Sequence, residues 1–264
     1  MINFEQKKLY NVSDLAEIVR ILRAPGGCPW DREQDHHTIR RNLLEEAYEA
    51  AEAIDENDPD HLKEELGDVL LQVVFHAQME KEAGRFDLND VADGICKKLI
   101  YRHPHVFGDV TVSGSGEVLS NWEELKRREK GQTTRADSMD AVAKSLPGLW
   151  RAEKMQKKAR KAGFDWPDVS GALDKLEEEA KELRSAVQDD TNVTEELGDV
   201  LFAAVNVARF TDTDPEDAMG GACEKFARRF RRMEEMAQSQ GNQLERMTLA
   251  EMDKLWDRAK QEET

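Results

Sequence analysis

The chain of 264 residues has few cysteines and a deficit of positive charge. Cys28, Cys96 and Cys223 lie far apart and form no C-x-x-C pair, so neither a disulfide framework nor a thiolate zinc site is indicated. We therefore expect a protein of the reducing cytoplasm. The 38 Lys and Arg are outnumbered by 55 Asp and Glu, which gives a net charge of −17. Binding of a nucleic acid polymer or an anionic membrane needs a cationic surface, so neither partner is expected.

Long apolar runs and strand-like alternation are also missing. The most apolar stretches, such as 200–205, are far shorter than the roughly 20 residues that span a bilayer. The first residues contain no apolar block, so we expect no export signal. Apolar residues instead recur at spacings of three and four, as in Leu15, Ile18 and Leu22. This period predicts helices almost throughout and an all-α fold. Capping-type residues predict helix starts at Ser13 and Asp14, at Asp60, and at Thr191 or Asn192.

The sequence contains an internal repeat. EELGDVL occurs at 64–70 and again at 195–201, and LLEEAYEAAEAI at 43–54 matches KLEEEAKELRSA at 175–186. A polar stretch without apolar period begins at Gly131 and is typical of a linker. We therefore predict a duplicated helical unit. The predicted first domain covers 1–130, the linker 131–144 and the second domain 145–264.

Each copy carries carboxylates in the pattern E-E-x-x-E, followed on the next helix by E-x-x-D. Residues three apart share a helix face, so two antiparallel helices bring four carboxylates to one place. Oxygen-only ligands favour Mg²⁺ or Mn²⁺ over zinc or copper. The predicted ligands are Glu179, Glu182, Glu196 and Asp199 in the second copy, and Glu46, Glu49, Glu65 and Asp68 as a second candidate metal site in the first.

These acids have two other interpretations. An isolated acidic pair is usually a solvated helix face, but these acids recur at matched positions and precede the most apolar helical segments. A di-iron carboxylate bundle needs E-x-x-H on two helices. The chain has only Glu33 to His36, beside a Pro-Trp turn, so this alternative has little support.

Cations and aromatic residues follow the acids in each copy. The second copy has a cluster of five cations: Lys225, Arg228, Arg229, Arg231 and Arg232. Arginine suits bidentate phosphate contact, although these cations equally suit neutralisation of neighbouring glutamates. Trp122 and Trp256 occupy matched positions, suited either to stacking on a base or to the core. Asn206 replaces Phe75 on the acid-bearing face and offers an amide to a sugar or base.

Together, EEAYE with EELGD, CPWDREQ, YRHPHVF and the second EEEAKE with EELGD resemble the MazG family of nucleoside triphosphate pyrophosphohydrolases. The resemblance spans essentially the whole chain. It implies the all-α NTP pyrophosphatase fold, homodimerisation, Mg²⁺ dependence and hydrolysis of an NTP to NMP and pyrophosphate. It also implies that the second domain is the main catalytic one, with metal ligands Glu179, Glu182, Glu196 and Asp199. The residues it places around the nucleotide are Lys175, Lys225, Arg228, Arg229 and Trp256.

The charges of the protein and its substrate suggest a mechanism, and two alternative functions are also open. Divalent ions that bridge carboxylate and phosphate oxygens overcome the repulsion between an acidic protein and a triphosphate. A water activated by the metal or by Glu178 is expected to attack the α-phosphorus in line. One alternative is a narrower dNTP or phosphoribosyl-ATP pyrophosphatase. A non-catalytic dimeric helical scaffold is an alternative of another class.

Overall fold

In a computed structural model, residues 4–129, 131 and 134–262 are described, and they contain thirteen α-helices, one short 3-10 helix and no strand. This confirms the predicted all-α class. The chain divides into two compact units, Met1–Lys126 and Arg127–Thr264. The helices that begin in the first unit are α1 (Val12–Arg23), α2 (Pro29–Glu33), α3 (Arg40–Asp55), α4 (Pro59–Glu82), α5 (Leu88–Arg102), α6 (Pro104–Phe107) and α7 (Ser115–Glu129).

The second unit repeats the pair of long helices that carries the acids. Its helices are α8 (Arg135–Asp140), α9 (Gly148–Lys161), α10 (Val169–Asp189), α11 (Val193–Phe210), α12 (Pro215–Ser239) and α13 (Leu249–Glu262), with the 3-10 helix at Leu244–Arg246. Residues 132 and 133 of the predicted linker lie outside the described residues. Farther along that stretch, α8 packs against α9. The domain bounds stay a prediction.

Helix starts are fixed by side chains that cap free backbone N–H groups. Asn11 accepts from the N–H groups of Ser13 and Asp14, so α1 begins slightly earlier than the predicted start at Ser13 or Asp14. Asp58 caps α4, two residues before the predicted Asp60. The predicted signals at these two helices are therefore shifted by a few residues, because the residue that caps lies just outside the apolar period.

The acid-bearing helices pair as hairpins, α3 with α4 and α10 with α11. The buried residues of α3 are Ala50 and Ala53, and those of α10 include Ala172 and Ala186. Small side chains allow two helix axes to approach closely. Carboxylates from both helices of a hairpin therefore reach the same place.

Each unit has its own hydrophobic core. In the first, Val19, Ile39, Val74, Phe75 and Met79 join α1 and α4 to the segment before α3. In the second, one core cluster lies between α12 and α13 and consists of Met233, Met236, Ala237, Leu255 and Ala259. Among the described residues, no helix is long and apolar enough to cross a membrane.

Candidate metal centre and nucleotide site

Three carboxylates converge in the second unit. Glu179 on α10 and Glu196 and Asp199 on α11 each place one oxygen within 4.8 Å of the others. Glu179 is buried, Glu196 is half-buried and Asp199 is exposed. The cluster therefore has a buried floor and an open side from which a ligand can approach.

Glu182 lies one helical turn beyond Glu179 and outside that set of three. Its pKa is raised, first by partial desolvation and then by the negative charges of Glu179 and Glu196. A carboxyl group responds in this way when like charges surround it. The structure thus places the fourth predicted ligand within the electrostatic field of the other acids.

Lys175 provides positive charge at this cluster. Its Nζ lies 2.6 Å from Glu179 Oε1 and 3.0 Å from Glu178 Oε1. These two contacts raise the pKa of Lys175, with the hydrogen bond to Glu179 as the larger cause. Lys175 thus ties the predicted ligand Glu179 to the predicted base Glu178, which is exposed.

The first unit repeats the cluster with differences in detail. Glu46, Glu49 and Glu65 converge within 4.8 Å, and Asp68 lies outside this set. The pKa of Glu46 is raised by burial first, then by the charges of Asp68 and Glu49. Counted back from the paired acids Glu46 and Glu179, Asn42 stands at the position of Lys175, so the first cluster has no lysine at that place.

The donor set of both clusters fits a hard divalent cation. Every convergent group is a carboxylate, and such oxygen ligands are preferred by Mg²⁺ and Mn²⁺. Three carboxylates this close repel one another unless a cation lies among them. In the second unit Lys175 provides only part of that compensation.

Asn206 lies on α11, two turns beyond Asp199, and is buried in a polar network. Its Oδ1 accepts from Arg209 Nε at 2.9 Å and Nη2 at 2.6 Å. Arg209 in turn donates to both oxygens of Asp165, at 2.9 and 2.5 Å. A guanidinium has no acceptor, so Arg209 must face the carbonyl oxygen of Asn206. The amide N–H groups of Asn206 therefore point away from Arg209.

The predicted phosphate-binding cations lie on another pair of helices. Lys225, Arg228 and Arg229 are on α12, which packs mainly against α13. Lys225 and Arg228 are exposed and Arg229 is half-buried. The structure thus brings the acids of α10 and α11 together and places these cations on the α12–α13 hairpin.

The matched tryptophans have different neighbours. The Trp256 ring lies 5.1 Å from the Phe226 ring, and Trp256 packs on the core between α12 and α13. Trp122 in the first unit lies beneath Arg102 and Lys126, each 5.2 Å from its centroid. Trp256 therefore has both a core contact and a partly exposed face.

Two features of this site were not predicted from the sequence. One is the Asp165–Arg209 pair behind Asn206, although the spacing of three between Asn206 and Arg209 is a usable signal. The other is Asn192, predicted only as a helix start, whose Nδ2 donates to Glu196 Oε1 at 2.6 Å. The first depends on which loop approaches α11, and the second depends on the side-chain conformation that Asn192 adopts at the start of the same helix.

Comparison with known proteins identifies relatives of the whole chain. Residues 34–107 and 169–233 match the MazG nucleotide pyrophosphohydrolase domain. The chain is 45% identical over 247 residues to the nucleoside triphosphate pyrophosphohydrolase/pyrophosphatase MazG of Thermotoga maritima, covering 94% of both proteins. It is 44% identical over 257 residues to the nucleoside triphosphate pyrophosphohydrolase of Escherichia coli K12, covering 96% of this chain and 98% of that protein.

A third relative is longer. The uncharacterized protein YabN of Bacillus subtilis is 49% identical over 263 residues, which is 98% of this chain but 54% of that protein. The two matched segments contain both carboxylate clusters and the α12 cations. Trp256 lies beyond them.

Proposed function

This chain belongs to the MazG family and is a nucleoside triphosphate pyrophosphohydrolase; from that premise we propose that its second unit carries the main active site and uses Mg²⁺. The products are a nucleoside monophosphate and pyrophosphate. The observation that carries the proposal is the convergence of Glu179, Glu196 and Asp199 beside Lys175. In the second unit this cluster has a lysine at its edge, whereas the first unit has Asn42 at the corresponding position of the repeat.

The ion would be held by Glu179, Glu182, Glu196 and Asp199, with Mn²⁺ as a substitute for Mg²⁺. A divalent ion held there would supply positive charge for the phosphates and would stabilise the negative charge that develops on the leaving pyrophosphate. Glu46, Glu49, Glu65 and Asp68 form the proposed second site. Its weaker role is supported by Phe75 and Asn42, which replace Asn206 and Lys175.

Glu178 is the proposed general base. It takes a proton from the water that attacks the α-phosphorus, while the bond from that phosphorus to the pyrophosphate oxygen breaks. Its exposure at the edge of the cluster supports this role. Lys175 contacts Glu178 at 3.0 Å and Glu179 at 2.6 Å, and it is proposed to donate to a phosphate oxygen of the bound substrate.

Asn206 is proposed to bind the nucleoside. Because Arg209 takes its carbonyl oxygen, Asn206 offers two N–H donors to an oxygen of the substrate. Seven residues of helix place it about 10 Å from Asp199 along α11, and a nucleoside extends over a similar distance from its α-phosphate. Lys225, Arg228, Arg229 and Trp256 are proposed to complete the site by contacting phosphates and base.

The proposal includes a homodimer and a cytoplasmic location. Val91, Ile95 and Leu99 form an exposed apolar stripe on α5, which suits burial against a second copy. All three cysteines are free thiols, which suits a reducing compartment. No nucleic acid polymer or membrane is included among the proposed partners, because the net charge is −17.

Product analysis tests the proposed function. The full chain is incubated with each of several NTPs and dNTPs and with phosphoribosyl-ATP, with Mg²⁺, Mn²⁺ or EDTA. We expect NMP and pyrophosphate from several nucleotides and no turnover with EDTA. Release of NDP and phosphate would contradict the reaction at the α-phosphorus. Turnover of one nucleotide alone would support the narrower alternative, and no metal-dependent turnover would support the scaffold.

A further inference from the structure

The start of α11 differs from the starts of the helices in which an Asn, Asp or Thr N-cap residue caps the helix with its side chain. Asparagine is among the best N-cap residues because its side-chain oxygen accepts from backbone N–H groups of the first turn. Asn192 occupies the N-cap of α11, yet its side chain makes no capping hydrogen bond. The N-cap residues whose side chains do cap their helices are Asn11, Asp58, Asp87, Thr134, Asp168 and Asp214.

The Asn192 side chain instead forms a hydrogen bond with a member of the carboxylate cluster. Its Nδ2 donates to Glu196 Oε1 at 2.6 Å. This contact fixes one carboxylate oxygen and leaves the second oxygen of Glu196 for another ligand. Asn192 and Glu196 also border a cavity of about 320 Å³ that reaches Glu182, so the contact lies at the accessible edge of the cluster.

In the first unit, one residue caps the helix and a different residue contacts the acid. Asp58 caps α4 by accepting from the N–H groups of Asp60 and His61. His61 then contacts the acid four residues later, with its Nε2 3.2 Å from Glu65 Oε1. Helix α11 begins closer to its acid than α4 does. In α11 the N-cap position and the position four residues before the acid are therefore the same residue, Asn192. Asn192 makes the contact that reaches the acid and leaves the helix without a side-chain cap.

We propose that Asn192 is a positioning residue that orients Glu196 for the divalent ion, a role that rests on the metal site proposed above. Groups that hydrogen-bond a metal ligand fix its orientation, and their loss typically weakens metal binding by about 10 to 100-fold. A purely structural asparagine at this position would cap the helix. In each unit a side-chain nitrogen contacts the corresponding acid four residues later, which supports the assignment.

The test separates metal binding from helix stability by replacing Asn192 with serine. Serine caps a helix well but is too short to reach Glu196. All proteins carry Glu46→Gln and Asp68→Asn, so the second unit holds the remaining candidate site. Mn²⁺ affinity is measured by titration calorimetry and Tm by circular dichroism. We expect Asn192→Ser to weaken Mn²⁺ binding about 10-fold or more, with an unchanged or higher Tm.

Two further variants sharpen the comparison. Asn11→Ser makes the same substitution at an N-cap that does cap its helix, and it should leave Mn²⁺ affinity unaltered. Asn192→His introduces the side chain that the first unit has at this position, and it should recover affinity to within a few-fold of the parent protein. Equal Mn²⁺ affinity in Asn192→Ser and its parent overturns the inference, as does a loss that histidine does not recover. A parent that binds no Mn²⁺ overturns the proposed metal site itself, and this inference with it.

Discussion

At the scale of single residues, the acids of the second unit differ in their burial and in their pairing with a cation. Glu179 is buried and paired with Lys175, whereas Asp199 is exposed. A buried carboxylate that faces other carboxylates is costly without a cation, because its charge is removed from water. Such an arrangement is expected at a binding site rather than on a solvated helix face.

Removal of one ligand charge should nearly abolish hydrolysis. We expect Glu179→Gln or Asp199→Asn to lower kcat/KM by at least about 100-fold, because the amide cannot replace an ionised ligand. Pyrophosphate release measures activity and circular dichroism measures helicity. Glu177→Gln is the matched control, since Glu177 is exposed on the same helix. Metal-dependent turnover retained in both variants would remove these residues from the site.

The arginines of α12 allow a test of phosphate binding. If Arg228 and Arg229 contact the triphosphate, the double change to Ala should lower kcat/KM by about ten-fold or more per residue. A charge-assisted hydrogen bond contributes about 1.5 to 3 kcal/mol. The control is Arg231→Ala, a neighbouring exposed arginine. Unchanged kcat/KM with a lower Tm would show that the pair only neutralises nearby glutamates.

At the scale of elements, the helices and the acidic pattern were predictable, whereas contacts between distant segments were not. The spacing of Glu196 and Asp199 puts both on one face of α11, and the repeat predicts the hairpin that adds Glu179. The Asp165–Arg209 pair depends on where the loop before α10 meets α11. The spacing of residues in the sequence does not predict that contact. It also does not predict whether the Asn192 side chain caps α11 or hydrogen-bonds to a carboxylate.

Helix α4 carries a polar chain that gives the first unit a pH dependence. His36 contacts both His76 and Glu80. The Nδ1 atoms of His36 and His76 are 2.7 Å apart, and His36 Nε2 lies 2.6 Å from Glu80 Oε1. Burial, and then the charge of His36, lowers the pKa of His76. The pKa of Glu80 falls to about 2, chiefly because of its hydrogen bonds with Arg85.

Acidification should therefore destabilise the first unit. Below the ordinary histidine pKa of 6.5 the unfolded chain binds a proton that folded His76 resists, so stability is lost as pH falls. Glu80 contributes stability above 4.5 that is lost as pH falls toward 2. Urea unfolding at pH 7.5 and 5.5 should show this decline, and His76→Gln should reduce it. His37→Gln, at an exposed position, is the control; an equal decline in both variants would contradict the assignment to His76.

At the scale of the whole molecule, the two units share an architecture but not a full set of site residues. Glu46→Gln with Asp68→Asn should reduce turnover much less than the changes in the second unit, by less than about ten-fold. The reason is that the first unit has Phe75 and Asn42 where the second has Asn206 and Lys175. Steady-state kinetics with Mg²⁺ measures the ratio. Loss of all activity in this variant would make the first unit the working site.

The exposed apolar stripe of α5 leads to a prediction about assembly. Val91, Ile95 and Leu99 are 37%, 45% and 47% exposed and recur every four residues along one face. A unit of this size has too few helices to cover every apolar stripe itself, and burial of such a face against a second copy is favourable. Sedimentation velocity at micromolar concentration should therefore detect a homodimer.

Ile95→Asp should shift the equilibrium toward monomer, because dimerisation would then bury an unpaired charge. Leu9→Asp changes a residue that is 85% exposed and outside the stripe, and it should leave the dimer intact. A strict monomer in the unsubstituted protein would contradict the prediction, and a dimer insensitive to Ile95→Asp would place the interface on another face.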